Sequence, residues 1–334
     1  MTFLFLCSTF TTQILPKDLS FKDMKAVQIN KYGGSDVLEI NDIQEPSPTS
    51  GQILVEVYDA SINPIDLKIR AGYLKDAVKI LPVTLGTDFS GVVSKVGETV
   101  FGLNKGDEVY GNAIFLGGGS GTFAEFVAAN ITSAALKPKS VKFEEAGALP
   151  LAGASAIQAL EEQIKLQSGQ KILIHGGAGG IGHIAVQLAK ALGSYVATTV
   201  SADDIEFVKE LGADEAIDYK NESFKDRLKD YDAVFDTVGA DTTEKSFKVL
   251  KKGGVIVSML GAPNPQLAKQ HGVIAVGQAT ETNTKRLNRL TELVDSGKVK
   301  VHIDKVFPLE KVRQAFNHQE KGHPRGKVVL RIKS

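Results

Sequence analysis

The chain holds a single cysteine, Cys7, in 334 residues, so no intramolecular disulfide and no cysteine-based zinc cluster can form. That lack suits a reducing compartment, and a cytoplasmic location is the expectation. An excess of one charge is also missing. The 39 Lys and Arg balance 39 Asp and Glu, which excludes a net field that would draw in nucleic acid or an anionic membrane. No apolar run is long enough to span a bilayer. Residues 1–7 are apolar but short, lack a basic flank, and make a poor signal peptide. Repeats and low-complexity linkers are absent. What remains is ordinary for a soluble globular protein able to bury a core: 43% hydrophobic and 23% charged residues, at a length that suits roughly two domains.

Residues 1–23 differ from the rest. A second start-like sequence opens at Met24 with the first convincing strand. Residues 1–23 are therefore expected to be a poorly ordered, dispensable extension or the product of an upstream start codon.

From Met24 to about Pro138, short β-rich runs alternate with Gly and Pro, a spacing that suggests a small antiparallel barrel. After about Lys142 the rhythm becomes strand–helix alternation. Strands are read at 171–175, 195–200, 232–236, 255–260 and 273–277, with helices at 144–164, 181–192, 203–211 and 241–250. Apolar strands alternating with helices signal a parallel, doubly wound sheet. A last helix at 284–297 precedes a β-like tail, 326–332, expected to return to the first domain. The expected division is 24–145 with 284–334 as one domain and 146–283 as the other.

The most informative stretch is 171–182: an apolar strand, then Gly176, Gly177, Ala178, Gly179, Gly180, Ile181 and Gly182, then a helix. Ile181, Ile184, Ala185, Leu188, Ala189 and Leu192 repeat at helical spacing. That order is what a dinucleotide pyrophosphate requires. Gly177 permits the turn, Gly179 admits the phosphates, and Gly182 lets helix pack on strand. The helix N-terminus then offers free N–H groups to the anion.

The order β-barrel, nucleotide fold, β-tail resembles the medium-chain dehydrogenase/reductase superfamily, and its quinone oxidoreductase (zeta-crystallin-like) branch in particular. The segments that carry the resemblance are 61–66 around Asn63, 86–93, 148–153, the glycine turn, 210–214, and Asp218 with Tyr219. The resemblance implies a GroES-like β-barrel catalytic domain beside a Rossmann domain. Zinc members of the superfamily have Cys where this chain has Asn63 and His where it has Thr87, and neither replacement is a workable zinc ligand. No metal is expected, and the chemistry shifts to reduction of an already electrophilic acceptor, a quinone or an α,β-unsaturated carbonyl.

An NAD-preferring enzyme places Asp or Glu at the second strand's tip, about 20 residues beyond the first motif glycine. Here that count reaches Thr199, and no acid occurs between Ala197 and Ser201. NADPH is therefore expected over NADH, with Ser201 a donor to the 2′-phosphate. The resemblance adds Tyr219 to that group. Asp203 and Asp204 oppose it unless they point away.

By resemblance, Asn63 lies beside the nicotinamide, where its amide can donate to an oxygen gaining charge. Ser155, Gly261 and Gln278 are placed at the nicotinamide pocket on the same ground. Lys68 and Tyr73 are candidate proton donors. The rival readings are a 2-alkenal or enoyl-thioester reductase, and a non-catalytic NADPH-binding, crystallin-like protein. By resemblance, a homodimer is expected through the apolar edge strand 273–276.

Overall fold

The computed structural model describes residues 22–78 and 80–333, so the expectations for residues 1–21 lie outside the described residues. Six parallel strands form one sheet: Lys171–His175, Tyr195–Val200, Glu215–Asp218, Tyr231–Asp236, Leu250–Ser258 and Ile274–Gly277. In space the third strand lies outermost, then the second, first, fourth, fifth and sixth. The winding direction reverses between Lys171–His175 and Tyr231–Asp236. A crevice opens at such a reversal, outside the carboxyl ends of the strands. Ile172, Leu173, Ile174, Val234 and Phe235 are wholly buried, which explains why these strands are apolar on both faces.

The remaining strands are mostly antiparallel. A three-stranded sheet joins Leu38–Gln44, Asp23–Ile29 and Val83–Thr84. A seven-stranded sheet is built around Gln52–Ser61, which pairs with Asp88–Val96 and Phe126–Asn130. The C-terminal strand Lys327–Arg331 also pairs antiparallel with Gln52–Ser61, Val329 opposite Ser61 and Arg331 opposite Asp59. The tail thus returns to the antiparallel sheet of the N-terminal part of the chain, where the sequence reading expected it.

Two joints hold the sheets against each other. Helix Thr284–Asp295 packs on helix Pro150–Ile157 so closely that a methyl on Gly153 would stand 2.2 Å from Leu290 Cδ2. The buried Tyr110 hydroxyl, from the antiparallel sheet, donates to the Leu287 carbonyl at 2.6 Å. The second joint is the approach to the last strand, where the Gly326 N–H donates to the Ala178 carbonyl at 2.8 Å.

Sequence reading and structure differ in several places: helix Val312–Lys321 follows the helix read as the last, and strand Leu250–Ser258 begins well before the 255 read for it. The expected helix 144–164 is divided into Phe143–Gly147, Pro150–Ile157 and a wider turn Gln158–Gln163. Pro150 has no N–H to continue the first helix, but it suits the first turn of the next. Strand Glu215–Asp218 was not read, because four residues with charged ends carry no usable periodicity. Helix Pro265–His271 is not among the helices read from the sequence; Asn264 caps it, its side chain accepting from the Gln266 N–H at 2.9 Å.

Candidate active site

The glycine turn is set by its neighbours. Gly176, rather than Gly177, takes the left-handed conformation, with φ +73°. The Thr199 carbonyl accepts from the N–H groups of Gly176 at 3.1 Å and Gly177 at 3.3 Å. A methyl on Gly177 would stand 2.1 Å from Thr198 Oγ1, and one on Gly182 would stand 2.0 Å from the Gly176 carbonyl oxygen. Packing therefore dictates both glycines. Gly179 is different: a methyl there meets nothing nearer than 3.4 Å. The bare backbone at Gly179 borders a cleft and is free for a ligand. Helix Gly182–Ala191 follows, and the N-terminal end of a helix favours an anion placed beside it.

That cleft has a volume of about 1510 Å³, larger than a typical small-molecule pocket and suited to a dinucleotide. The structure brings Asn63, Ala178, Gly179, Gly180, Ile181, Thr199, Ser201 and Tyr219 to its walls. Gly177 and Gly182 lie beneath the turn. Lys68 and Tyr73 are not among the lining residues, and Tyr73, just past helix Pro64–Ala71, is 79% exposed. Ser155 and Gln278 are buried behind the lining residues Leu151 and Ala152. The Gln278 amide donates to the Ser155 carbonyl at 3.0 Å, and the Ser155 hydroxyl lies 2.8 Å from Thr280 Oγ1. The Gln278 Oε1 has no partner. Gly261 takes φ +117° in the loop after Leu250–Ser258 and is not a lining residue.

At the strand tip the arrangement of charges answers the difficulty raised by Asp204. Thr199 is turned inward, its hydroxyl 2.9 Å from His175 Nδ1, so Ser201 is the first residue at the tip. Asp204 accepts from the Ser201 hydroxyl at 2.6 Å and from Arg325 Nε at 2.5 Å. Arg325 Nη2 also donates to the Asp203 carbonyl at 2.5 Å. The Asp204 carboxylate is thus neutralised by a guanidinium that itself lines the cleft. Lys220, Lys225 and Lys245 line the same end, beside Tyr219. Asp203, Asp204, Glu222 and Asp304 also line the cleft, so it carries both signs of charge.

The opposite wall is a buried polar network. Asn63 precedes helix Pro64–Ala71, with Pro64 at its first position, and its N–H donates to Asp66 Oδ2 at 2.8 Å. The Asn63 amide nitrogen donates to Asp88 Oδ2 at 2.9 Å and the Ser61 carbonyl at 3.3 Å, and its Oδ1 accepts from Lys327 Nζ at 2.5 Å. The donor assigned from sequence to a substrate oxygen is therefore engaged with Asp88. Thr87 donates to Asp66 Oδ1 at 2.8 Å. Burial pushes Asp66 up to about 7 and Asp88 up to about 6, with Lys327 opposing the rise in both. An amide and a hydroxyl committed in this way do not fit zinc. Among the described residues, no group of three or more His, Cys, Asp or Glu could hold a metal ion.

Two histidines brace the turn. His183 donates through Nδ1 to the Gly179 carbonyl at 2.9 Å and accepts the His302 N–H on Nε2 at 3.1 Å, a network that requires the neutral ring. His175 lies between the Thr199 and Ser246 hydroxyls. Burial lowers both to about 4.

Sequence reasoning missed Arg325 and Lys327. Their signal was visible in the tail, where Lys327 is a charged residue at the start of an apolar strand with no obvious solvent face.

Comparison with known proteins gives two family matches: an alcohol dehydrogenase GroES-like domain over residues 49–139 and a zinc-binding dehydrogenase domain over residues 211–330. A 2-methylene-furan-3-one reductase from Solanum lycopersicum is 40% identical, covering 92% of this chain and 79% of that protein. An NADPH-dependent, chloroplastic alkenal/one oxidoreductase from Arabidopsis thaliana is 39% identical, covering 92% and 80%. The solved structure of a quinone oxidoreductase from Coxiella burnetii superposes with TM-score 0.87 at 37% identity, covering 93% of this chain and all of that one. The two-part architecture, GroES-like barrel and Rossmann sheet, is the one these relatives share.

The neutral histidines generate a pH prediction. His183 has an ordinary value of 6.5 and a folded value of about 4, so below pH 6.5 the unfolded chain gains a proton that the folded chain refuses. Its contribution is complete above pH 6.5 and falls as pH drops toward 4, by about 2 kcal/mol between 6.5 and 5. Asp66 and Asp88 act oppositely, because their folded values are raised and acidification favours the fold. Urea unfolding of His183→Gln beside the parent isolates the histidine: the variant should lose less stability between pH 6.5 and 5. Parallel pH curves would refute this account.

Proposed function

The chain belongs to the medium-chain dehydrogenase/reductase family, in its quinone and alkenal oxidoreductase branch, and we propose that it is a zinc-free, NADPH-dependent reductase of quinones and α,β-unsaturated carbonyls. The observation that carries this reading is the cleft itself. One end has a bare glycine turn and a strand tip where Arg325 pairs with Asp204; the other has a buried Asn63–Asp88–Lys327 network. The turn fits a pyrophosphate, since Gly179 leaves backbone uncovered toward the cleft.

NADPH, when bound, supplies a hydride from its nicotinamide ring. Ser201, Tyr219 and Arg325 would hold its 2′-phosphate, with Lys220 and Lys225 adding positive potential. Asp204 keeps Arg325 in place by its ion pair. Asn63, on the far wall, orients the cluster over which the acceptor lies. Metal activation is unnecessary for a conjugated acceptor, because conjugation already lowers the energy of the state that receives the electron pair. The names of the tomato and Arabidopsis relatives favour an enone or alkenal as the acceptor. The carrying domains on this reading are 24–145 with 284–334 for the acceptor and 146–283 for the dinucleotide. The single cysteine suits work in a reducing compartment such as the cytosol, and among the described residues no helix is long and apolar enough to cross a membrane.

A homodimer is part of the proposal. Among the described residues strand Ile274–Gly277 ends the parallel sheet with one neighbour, and Ile274 is 59% exposed, so a second copy can extend the sheet there.

Two measurements test these readings. Steady-state kinetics should give kcat/KM at least tenfold higher with NADPH than with NADH, and Arg325→Ala should erode that preference by about tenfold or more. Equal use of both cofactors, or a tenfold preference for NADH, overturns the cofactor assignment. Light scattering on a sizing column should report twice the chain mass, and Ala275→Pro should convert it to monomer; a monomeric parent refutes the dimer.

A further inference from the structure

We propose that Lys327 is the proton donor to the acceptor's oxygen, with Asn63 as its positioning residue; this rests on the reductase reading above and deepens it. Three observations place it there. Lys327, Asn63 and Ile62 all line the cleft, and the Lys327 side chain passes Gly180 of the phosphate turn, where a methyl would stand 3.2 Å from its Cδ. Its Nζ then reaches Asn63 Oδ1 at 2.5 Å and the Ile62 carbonyl at 3.4 Å. Asp88, the nearest carboxylate, is 3.9 Å away, with the Asn63 amide bonded to both groups. A lysine serving only to neutralise Asp88 would contact it directly. Here the close partner is the neutral Asn63 Oδ1, with the Ile62 carbonyl a longer contact, and an ammonium has three N–H donors. The third is available to a ligand oxygen.

The groups facing Nζ are few. Asp88 comes from strand Asp88–Val96, Asp66 from helix Pro64–Ala71, and the neutral His183 from helix Gly182–Ala191. Burial holds the ammonium below the ordinary lysine value of 10.5, opposed by Asp88 and Asp66, which eases its deprotonation. The step balances as follows. Bound NADPH would supply a hydride with its electron pair to the conjugated acceptor, and an electron pair of the acceptor would then come to rest on the carbonyl oxygen. An N–H bond of Lys327 breaks, its pair staying on nitrogen, and an O–H bond forms. The neutral amine regains a proton from water at the cleft mouth. Lys68 and Tyr73, outside the cleft, are not needed for this.

The experiment has one arm without turnover and one with it. In the first, 4-nitrophenol is titrated into the cofactor-free protein and its ionisation is followed by absorbance. Bound dye should ionise at least one pH unit lower than free dye, and Lys327→Met should abolish the shift while Lys327→Arg retains it. Unshifted dye bound to the unmodified protein overturns the proposal without any variant having to fold. In the second, NADPH-saturated enzyme reduces a simple enone across pH. The kcat should fall as pH rises through the lysine's titration; Lys327→Arg should move that fall upward, and Lys327→Met should remove it and cost about 100-fold. A Lys327→Met enzyme with the parental enone rate and pH profile overturns the assignment. Failure of the parent to reduce any quinone or enone would refute the reductase reading instead, leaving the dye arm to decide Lys327.

Discussion

The site depends on the return of the C-terminal strand across the mouth of the parallel sheet. Between His323 and Lys327 the chain leaves the edge of the cleft, donates from Gly326 to the Ala178 carbonyl, and enters the antiparallel sheet beside Gln52–Ser61. That single crossing fixes the glycine turn against the barrel. It also carries Arg325 to the strand tip and Lys327 to the buried network, so both cationic groups are set by one backbone register. Neither residue could be moved alone: a one-residue slip would turn Lys327 outward and bring Val328 to the network.

Charge is handled differently at the two ends. At the tip the ions are partly exposed, and Arg325 stays near Asp204 in a place where a phosphate can share it. At the buried end, two carboxyls and one ammonium lie out of water. Desolvation dominates there and raises both acids. With Asp66 raised to about 7, the cluster approaches one negative charge for one positive charge at neutral pH. Bringing opposite charges closer to balance in low dielectric limits how far such a buried group destabilises the fold.

Much of the fold was legible because its signals are local. Strands 171–175 and 195–200 match the structure to the residue, since each is an apolar run bounded by polar or glycine positions. The glycine turn was legible for the same reason, although the left-handed residue is Gly176. What was hidden depends on contacts between distant parts of the chain. Thr199 was counted as the strand tip, but its hydroxyl bond to His175 buries it and hands the tip to Ser201. Arg325 lies 121 residues from Asp204, and Lys327 lies 264 from Asn63. No spacing rule reaches so far. Lys68 and Tyr73 were suggested by a resemblance that places a Tyr near this position, and neither is among the residues lining the cleft.

The central claim is that a dinucleotide lies between the glycine turn and the returning strand, and hydrogen–deuterium exchange with and without saturating NADPH tests it most directly. The account predicts slowed exchange in three separate segments, 176–182, 199–204 and 323–327, with 68–73 unchanged. Protection that omits 323–327, or that appears at 68–73 instead, would contradict it.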